Sequence, residues 1–105
     1  MTSTGEHDRR WTFVTNHALV LAYIAKDPEA RLRDIADGIG VTERTAAQIV
    51  NDLEQAGYLI KTRNGRRNQY TVEGHKRLRH PRLKGLTASQ VIALILEALD
   101  RQPFG

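Results

Sequence analysis

The chain has 105 residues, no cysteine and a formal net charge of +4. A chain of this length is expected to form one small domain. Without cysteine it has no disulfide framework, no thiol nucleophile and no cysteine-ligated zinc site. Its polar start and the lack of an apolar run of 18 residues argue against a signal peptide and a membrane span. We therefore expect a cytoplasmic, soluble protein without a membrane partner.

The positive charge is concentrated in one segment. Residues 61–84 contain nine lysines and arginines against a single acid, Glu73, so this segment carries +8 and the rest of the chain −4. Such segregation is typical of proteins that bind a polyanion. Charge alone does not distinguish DNA from RNA or from an anionic membrane, and a solvated basic surface is the alternative interpretation.

The first predicted helix covers residues 13–26, which are apolar around nearly the whole circumference. Such a helix is buried on most sides. Thr15 or Asn16 can cap its start, and Pro28 ends it because the residue before a proline disfavours helical angles. Trp11 precedes this helix and is better suited to anchoring a core or an interface than to stacking on a base.

A second, shorter helix is predicted over residues 32–38. Gly38 and Gly40 bracket its end, where glycine easily adopts left-handed backbone angles. The two glycines do not form a nucleotide-binding motif, which needs a third glycine and a preceding strand. The inner face of the helix consists of Leu32, Ile35, Ala36 and Ile39.

The third helix is predicted to begin at Thr42 as its N-cap and to run to about Ala56, with Gly57 as its C-cap. Apolar residues recur at intervals of three and four positions, which indicates the face that packs into the core. These core residues are Ala46, Ile49, Val50 and Leu53.

The opposite face of the third helix carries side chains that can read DNA. At 3.6 residues per turn it consists of Arg44, Gln48, Asn51 and Gln55. Arginine pairs with guanine, and asparagine or glutamine pairs with adenine. No acid lies on this face, although an ordinary solvated face is the alternative. With the preceding helix and turn, the segment has the pattern of a helix-turn-helix, which places its second helix in the major groove.

A hairpin is predicted next, with strands over residues 59–63 and 69–72. Asn64 and Gly65 form its expected turn, since Asn-Gly is the strongest short hairpin signal. The tip is suited to phosphates or to a narrow minor groove. Its polar side chains are Arg63, Arg66, Arg67 and Asn68.

Residues 74–86 form a basic connector in which Pro81 and two glycines argue against a long helix. The connector either follows the DNA backbone or is a flexible arm, and the sequence leaves both interpretations open.

The last helix is predicted over residues 87–101, with Thr87 and Gln90 as a capping box. Its apolar residues cover about 200° of the helical circumference, whereas one contact face needs about 100°. The surplus favours a second subunit over one-sided packing with a few exposed leucines. The expected dimer interface consists of Val91, Ile92, Ile95, Leu96 and Leu99.

Three segments, residues 41–50, 53–59 and 65–70, together resemble a winged helix-turn-helix transcriptional regulator, similar to the bacterial MarR and ArsR groups. The resemblance covers about residues 13–72 and implies a mainly α fold with a small β-hairpin wing, completed here by a C-terminal dimerisation helix. It also implies that the third helix enters the major groove while the wing contacts the backbone or the minor groove. The DNA-contacting residues implied in this way are Arg31, Arg33, Thr42, Arg44, Thr45, Gln48, Asn51, Arg63, Arg66 and Arg67.

This chain lacks the long flanking helices of full MarR proteins and the paired-cysteine metal motif of many ArsR repressors. Its four histidines show no metal-ligand spacing, so neither a metal nor a cofactor is expected. An enzyme is also not expected, because the chain has only two serines, no cysteine, no phosphate loop and no evident carboxylate pair.

The sequence therefore predicts a homodimeric, sequence-specific regulator that binds double-stranded DNA and is nucleoid-associated. Residues 42–56 are its recognition helix and residues 59–72 its wing. A protein-interaction module that keeps this fold and a sequence-indifferent architectural DNA-binding protein are the alternatives. The predicted organisation is a disordered leader (1–10), a winged helix-turn-helix domain (11–73), the basic connector (74–86), a dimerisation helix (87–101) and a tail (102–105).

Overall fold

A computed structural model describes residues 14–100, so the predictions for the leader, Trp11 and the tail lie outside the described residues. The described part is mainly helical with one two-stranded antiparallel hairpin, which confirms the predicted fold class. Its elements are α1 (Asn16–Lys26), α2 (Leu32–Ile39), α3 (Glu43–Gln55), β1 (Leu59–Asn64), β2 (Arg67–Val72), a 3₁₀ turn (Pro81–Leu83) and α4 (Ala88–Asp100).

Helix α1 is the centre of the core, because it packs against α2, α3, α4 and β2. Val20 and Ile24 have no exposed surface, as expected for a helix that is apolar on most sides. The Thr15 side chain accepts a hydrogen bond from the N–H of Ala18 at 3.2 Å and so caps the helix start. The helix ends at Lys26, two residues before Pro28, as predicted.

The turn between α2 and α3 depends on one glycine rather than two. Gly40 follows α2 with a φ of +78°, and its N–H donates to the carbonyl of Ala36 at 2.9 Å. The prediction that Gly38 shares this role is wrong, since Gly38 lies within α2 and is not among the glycines with positive φ. A side chain at Gly38 would overlap the ring of Tyr23, so this glycine serves close packing of α2 on α1.

Helix α3 has the orientation that its periodicity predicts. Its four predicted core residues are all buried, and all four residues of the opposite face are exposed. After the helix, Gly57 has a φ of +85°, and the N–H of Tyr58 donates to the carbonyl of Leu53 at 2.9 Å. This closure ends α3 and leads the chain directly into β1.

The hairpin turn consists of Gly65 and Arg66, so the prediction of an Asn64-Gly65 turn is wrong. Asn64 is the last residue of β1 and pairs with Arg67. In this register the N–H of Tyr70 points away from β1 and donates to the carbonyl of Pro28 at 3.0 Å. A turn one residue earlier would make Tyr70 a hydrogen-bonded partner of β1, and its N–H could not reach Pro28.

The connector between β2 and α4 is closed by hydrogen bonds. The N–H of Leu78 donates to the carbonyl of Leu86 at 3.0 Å, and the N–H of Ala88 donates to that of Lys76 at 2.8 Å. The Tyr58 hydroxyl donates to the carbonyl of Arg77 at 2.8 Å. The segment therefore contains no long helix, as predicted, and both interpretations of the connector stay predictions.

Helix α4 begins with the predicted capping box. The N–H of Gln90 donates to the Thr87 hydroxyl at 3.3 Å, and the N–H of Thr87 donates to the Gln90 side chain at 2.8 Å. Ile92 is 7% exposed and belongs to the core of its own chain. Helix α4 packs against α1, and the predicted place of Ile92 in a dimer interface stays a prediction.

No helix in the described range is long and apolar enough to cross a bilayer.

Replacement of Gly38 by alanine should reveal the close packing of α2 on α1. We expect Gly38→Ala to destabilise the protein by about 1–3 kcal/mol, because its methyl group would overlap Tyr23. In a Tyr23→Ala background the same change should stabilise by about 0.5–1 kcal/mol, since alanine is a better helix former than glycine. Urea denaturation of the four proteins measures both effects, and equal destabilisation in both backgrounds would contradict the explanation.

Candidate DNA interface

The outward face of α3 presents unengaged polar side chains. Arg44, Gln48, Asn51 and Gln55 are all exposed. Among the described residues, none of these four takes part in an ion pair or in a side-chain hydrogen bond. Their donors and acceptors are therefore available to an external ligand, on a rigid helix whose opposite side is fixed in the core.

Two threonines organise the start of α3. The Thr42 hydroxyl oxygen accepts the N–H of Thr45 at 3.1 Å, and the same hydroxyl donates its proton to the Thr45 hydroxyl at 3.0 Å. Both functions of Thr42 are thus used within the protein. The Thr45 hydroxyl retains its own proton, which it can donate to an anion at the positive end of the helix.

A groove lies between the wing and the first turns of α2 and α3. It brings together five residues from two distant segments that the sequence indicates as possible DNA contacts. These residues are Arg31, Arg33, Arg66, Arg67 and Asn68. Arg63 is not part of it, and its Nε instead donates to the carbonyl of Gly65 at 3.4 Å. The groove is lined by Glu29, Ala30, Arg31, Leu32, Arg33, Asp34, Glu43, Arg66, Arg67, Asn68 and Tyr70.

The wing is docked against the helices through Tyr70. Its side chain is buried, and burial together with the nearby charge of Glu54 raises the pKa of the Tyr70 hydroxyl, against a smaller opposing contribution from a hydrogen bond with Asn68. The phenol therefore remains neutral at physiological pH. Asn68, which the sequence places at the exposed tip, is thus partly engaged with Tyr70.

Charges in the groove are mixed. The groove contains four arginines and three acids, and no local sequence pattern places these acids beside the arginines. The acids are Glu29, Asp34 and Glu43. Within residues 14–100, the guanidinium groups of Arg31 and Arg66 have no carboxylate within ion-pair distance, whereas those of Arg33 and Arg67 do. The groove can therefore receive an anion, although part of its positive charge is compensated within the protein.

A side-chain contact that no local sequence pattern predicts connects α1 with α3. The His17 Nε2 and the Asp52 Oδ2 are 2.8 Å apart, and both side chains are about half exposed. Contacts at such exposed positions contribute little to stability, and Asp52 lies on the side of α3 next to the outward face. The two residues are 35 positions apart in the sequence, which explains why no local pattern indicates the contact.

A second, apolar cleft lies between α1, the connector and α4, with Arg79 and His80 at its polar border. No local sequence pattern predicts this cleft, because its lining residues come from four separate segments. Its apolar lining is formed by Ala18, Leu21, Leu53, Tyr58, Leu78, Leu83, Ala88, Val91 and Ile92. No group of three or more potential metal-ligating side chains occurs within the described part of the chain.

A helix-turn-helix followed by a docked β-hairpin defines the winged-helix class of protein. Residues 13–67 match the family model described as the MarR family. The chain therefore belongs to the MarR family of winged-helix transcriptional regulators. The similarity to the ArsR group stays a prediction, and no curated protein matches the chain at a significant level.

Solved structures show the same fold. A MarR protein from Peptoclostridium difficile is 20% identical with a TM-score of 0.54, covering 83% of this chain and 51% of its own. The PcaV transcriptional regulator from Streptomyces coelicolor, solved with its natural ligand, is 24% identical with a TM-score of 0.52, covering 81% and 62%. MepR, a transcription regulator of the Staphylococcus aureus multidrug efflux pump MepA, is 14% identical with a TM-score of 0.52, covering 92% and 64%. This chain thus spans about half to two thirds of the length of these proteins.

The Thr42 hydroxyl makes two hydrogen bonds with Thr45, so we expect it to contribute to the stability of the protein. We expect Thr42→Ala to destabilise the protein by about 1 kcal/mol, because the helix loses its N-cap and the N–H of Thr45 loses its acceptor. Thr42→Ser keeps the oxygen and should cost much less. Urea denaturation compares the two variants, and equal losses would show that capping is not the role of this residue.

Proposed function

We propose that this protein is a sequence-specific regulator that binds double-stranded DNA as a homodimer. The observation that carries the proposal is the outward face of α3 (Arg44, Gln48, Asn51 and Gln55), which contains no acid and whose side chains have no partner among the described residues. It lies on a helix-turn-helix that also bears a docked wing and a groove with four arginines. Family membership supports the same function at a coarser level.

The outward face of α3 and the groove have different roles in DNA binding. Residues 42–56 lie in the major groove, where Arg44, Gln48 and Asn51 contact base edges and so select the sequence. Phosphate contacts position the protein without selecting a sequence. These contacts come from Arg31, Arg33, Thr45, Arg63, Arg66 and Arg67, while Thr42 positions Thr45.

The homodimer is proposed because α4 has an exposed apolar surface. Leu94 is 69% exposed and Leu99 is 40% exposed, although both lie on the same helix as the buried Ile92. Partly buried Val91, Ile95 and Leu96 adjoin them. A two-fold dimer would present two recognition helices about 34 Å apart, which favours a palindromic site. Binding to chromosomal DNA would make the protein nucleoid-associated.

The alternatives predict different binding behaviour. A protein-interaction module would use α4 and would not depend on Arg44 or Gln48. An architectural DNA-binding protein would bind all duplexes with equal affinity. Selection of bound sequences from a random DNA pool separates these cases, because only a sequence-specific regulator would enrich one motif.

Substitutions at Arg44 and Arg66 should have different effects on DNA binding. We expect Arg44→Ala to weaken binding to the selected sequence by about 1–3 kcal/mol and to change binding to random DNA much less, because it removes a base contact. Arg66→Ala should weaken both and should reduce the slope of log affinity against log salt concentration by about one, because it removes a phosphate contact.

Anisotropy titrations with both duplexes at several salt concentrations measure these effects. If wild-type binding were absent or insensitive to salt, the proposed function would be wrong.

The dimer prediction concerns Leu94 and Leu99. We expect the double variant Leu94→Asp, Leu99→Asp to be a folded monomer, because charges would replace the apolar contact between subunits. Leu86→Asp is the matched control, since Leu86 is 40% exposed but lies outside α4. Sedimentation equilibrium should give twice the chain mass of 11.9 kDa for wild type and control. Dimers of the double variant, or monomers of wild type, would contradict the proposed interface.

A further inference from the structure

We propose that Glu29 and Glu43 compete with DNA phosphates for Arg67 and Arg33, and so reduce the sequence-independent part of the affinity for DNA. The proposal rests on the proposed function, and it names residues that adjust how tightly the same groove holds any duplex. It assigns these two acids a role in DNA binding that favours weaker rather than stronger contact.

Each competing acid lies beside an arginine of the groove. The Arg33 Nε and the Glu43 Oε2 are 3.6 Å apart, and the Arg67 Nη1 and the Glu29 Oε1 are 3.5 Å apart. All four side chains line the groove. Asp34, the remaining acid there, has a different task, because its Oδ2 accepts the N–H of Arg31 at 3.3 Å at the start of α2.

Stability does not account for these pairs. The side chains of Arg33 and Glu43 are 76% and 60% exposed, and those of Arg67 and Glu29 are 52% and 50% exposed. Ion pairs at such exposed positions contribute little to folding, because water and salt screen them. They are therefore easily exchanged for another partner.

A phosphate is a suitable competitor for each guanidinium. Arginine donates two parallel hydrogen bonds to a phosphate, which is a stronger arrangement than a single contact near 3.5 Å. DNA binding would separate each arginine from its glutamate, and the released carboxylate would remain close to the phosphate and repel it. Both effects subtract from the affinity that the arginine would otherwise supply.

The reduction falls mainly on the sequence-independent term. Phosphate contacts supply nearly all of the non-specific affinity, so competition for the phosphate-binding arginines lowers this part. The outward face of α3, which contacts bases, has no acidic partner in the described part of the chain. A regulator must find its site among very many competing sites, so weak non-specific binding is useful. Arg31 and Arg66 have no such carboxylate within residues 14–100 and keep the groove attractive to DNA.

The first experiment measures binding of the full chain to a random-sequence duplex by fluorescence anisotropy at several salt concentrations. Glu29→Gln and Glu43→Gln should each bind about two- to tenfold more tightly at low salt, with a salt slope steeper by up to about one. Glu97→Gln on α4 is the matched control, because it removes the same charge at an exposed position outside the groove. The control should stay within about twofold of wild type.

A double-mutant cycle then tests whether each glutamate acts through its own arginine. In an Arg33→Gln background, Glu43→Gln should give much less than its full gain, and the same should hold for Glu29→Gln in an Arg67→Gln background. Full gains in both backgrounds would show a general charge effect and would overturn the proposal. Thermal melts check folding, and Glu43→Gln should be slightly less stable because it removes an acid from the first turn of α3.

The outcomes separate this inference from the proposed function. If wild type binds no DNA, the proposed function itself is wrong. If wild type binds with normal salt dependence but both glutamine variants behave like Glu97→Gln, only the competition by Glu29 and Glu43 is wrong.

Discussion

The packing of one face of α3 against α1 is the interaction on which the rest of the structure depends. Ile49 and Leu53 lie in the same core as Ile24 of α1. A helix is rigid in cross-section, so burying this face necessarily turns Arg44 and its neighbours outward. The core thus determines both the stability of the domain and the direction of the proposed reading face. A polar substitution in this core would therefore change the orientation of the candidate DNA interface, although the substituted residue itself does not contact DNA.

The wing adds a second constraint, because its position is set by bonds at its base. The N–H of Glu73 donates to the carbonyl of Tyr58, and that of Tyr70 donates to the carbonyl of Pro28. These bonds bring Arg67 within ion-pair distance of Glu29 in the loop before α2. The groove that results contains both signs of charge, so its acids compensate part of the positive charge of its arginines. Net charge alone, even the +8 of residues 61–84, does not describe it.

Local features could be predicted well from the sequence. The caps at Thr15 and Thr42 and the capping box at Thr87 are formed within one helical turn, so residues near in sequence are enough to specify them. The sequence predicts the hairpin turn one residue too early, because both turn positions are compatible with the same pattern of side chains. Moving it by one residue shifts each pairing by two positions, which keeps every side chain on the same face of the hairpin. The observed register is the one that lets the N–H of Tyr70 donate to the carbonyl of the distant Pro28.

The sequence by itself determined the order of the helices, the hairpin, the buried face of α3 and the four polar residues opposite it, because helical and strand periodicity are local properties. Tertiary structure alone decided the features that join distant segments. It paired His17 with Asp52 and placed Glu29 and Glu43 beside arginines of the groove. It also assigned Ile92 to the core while leaving Leu94 exposed. Both residues are equally apolar in sequence, and only the position of α1 settles which of them is covered.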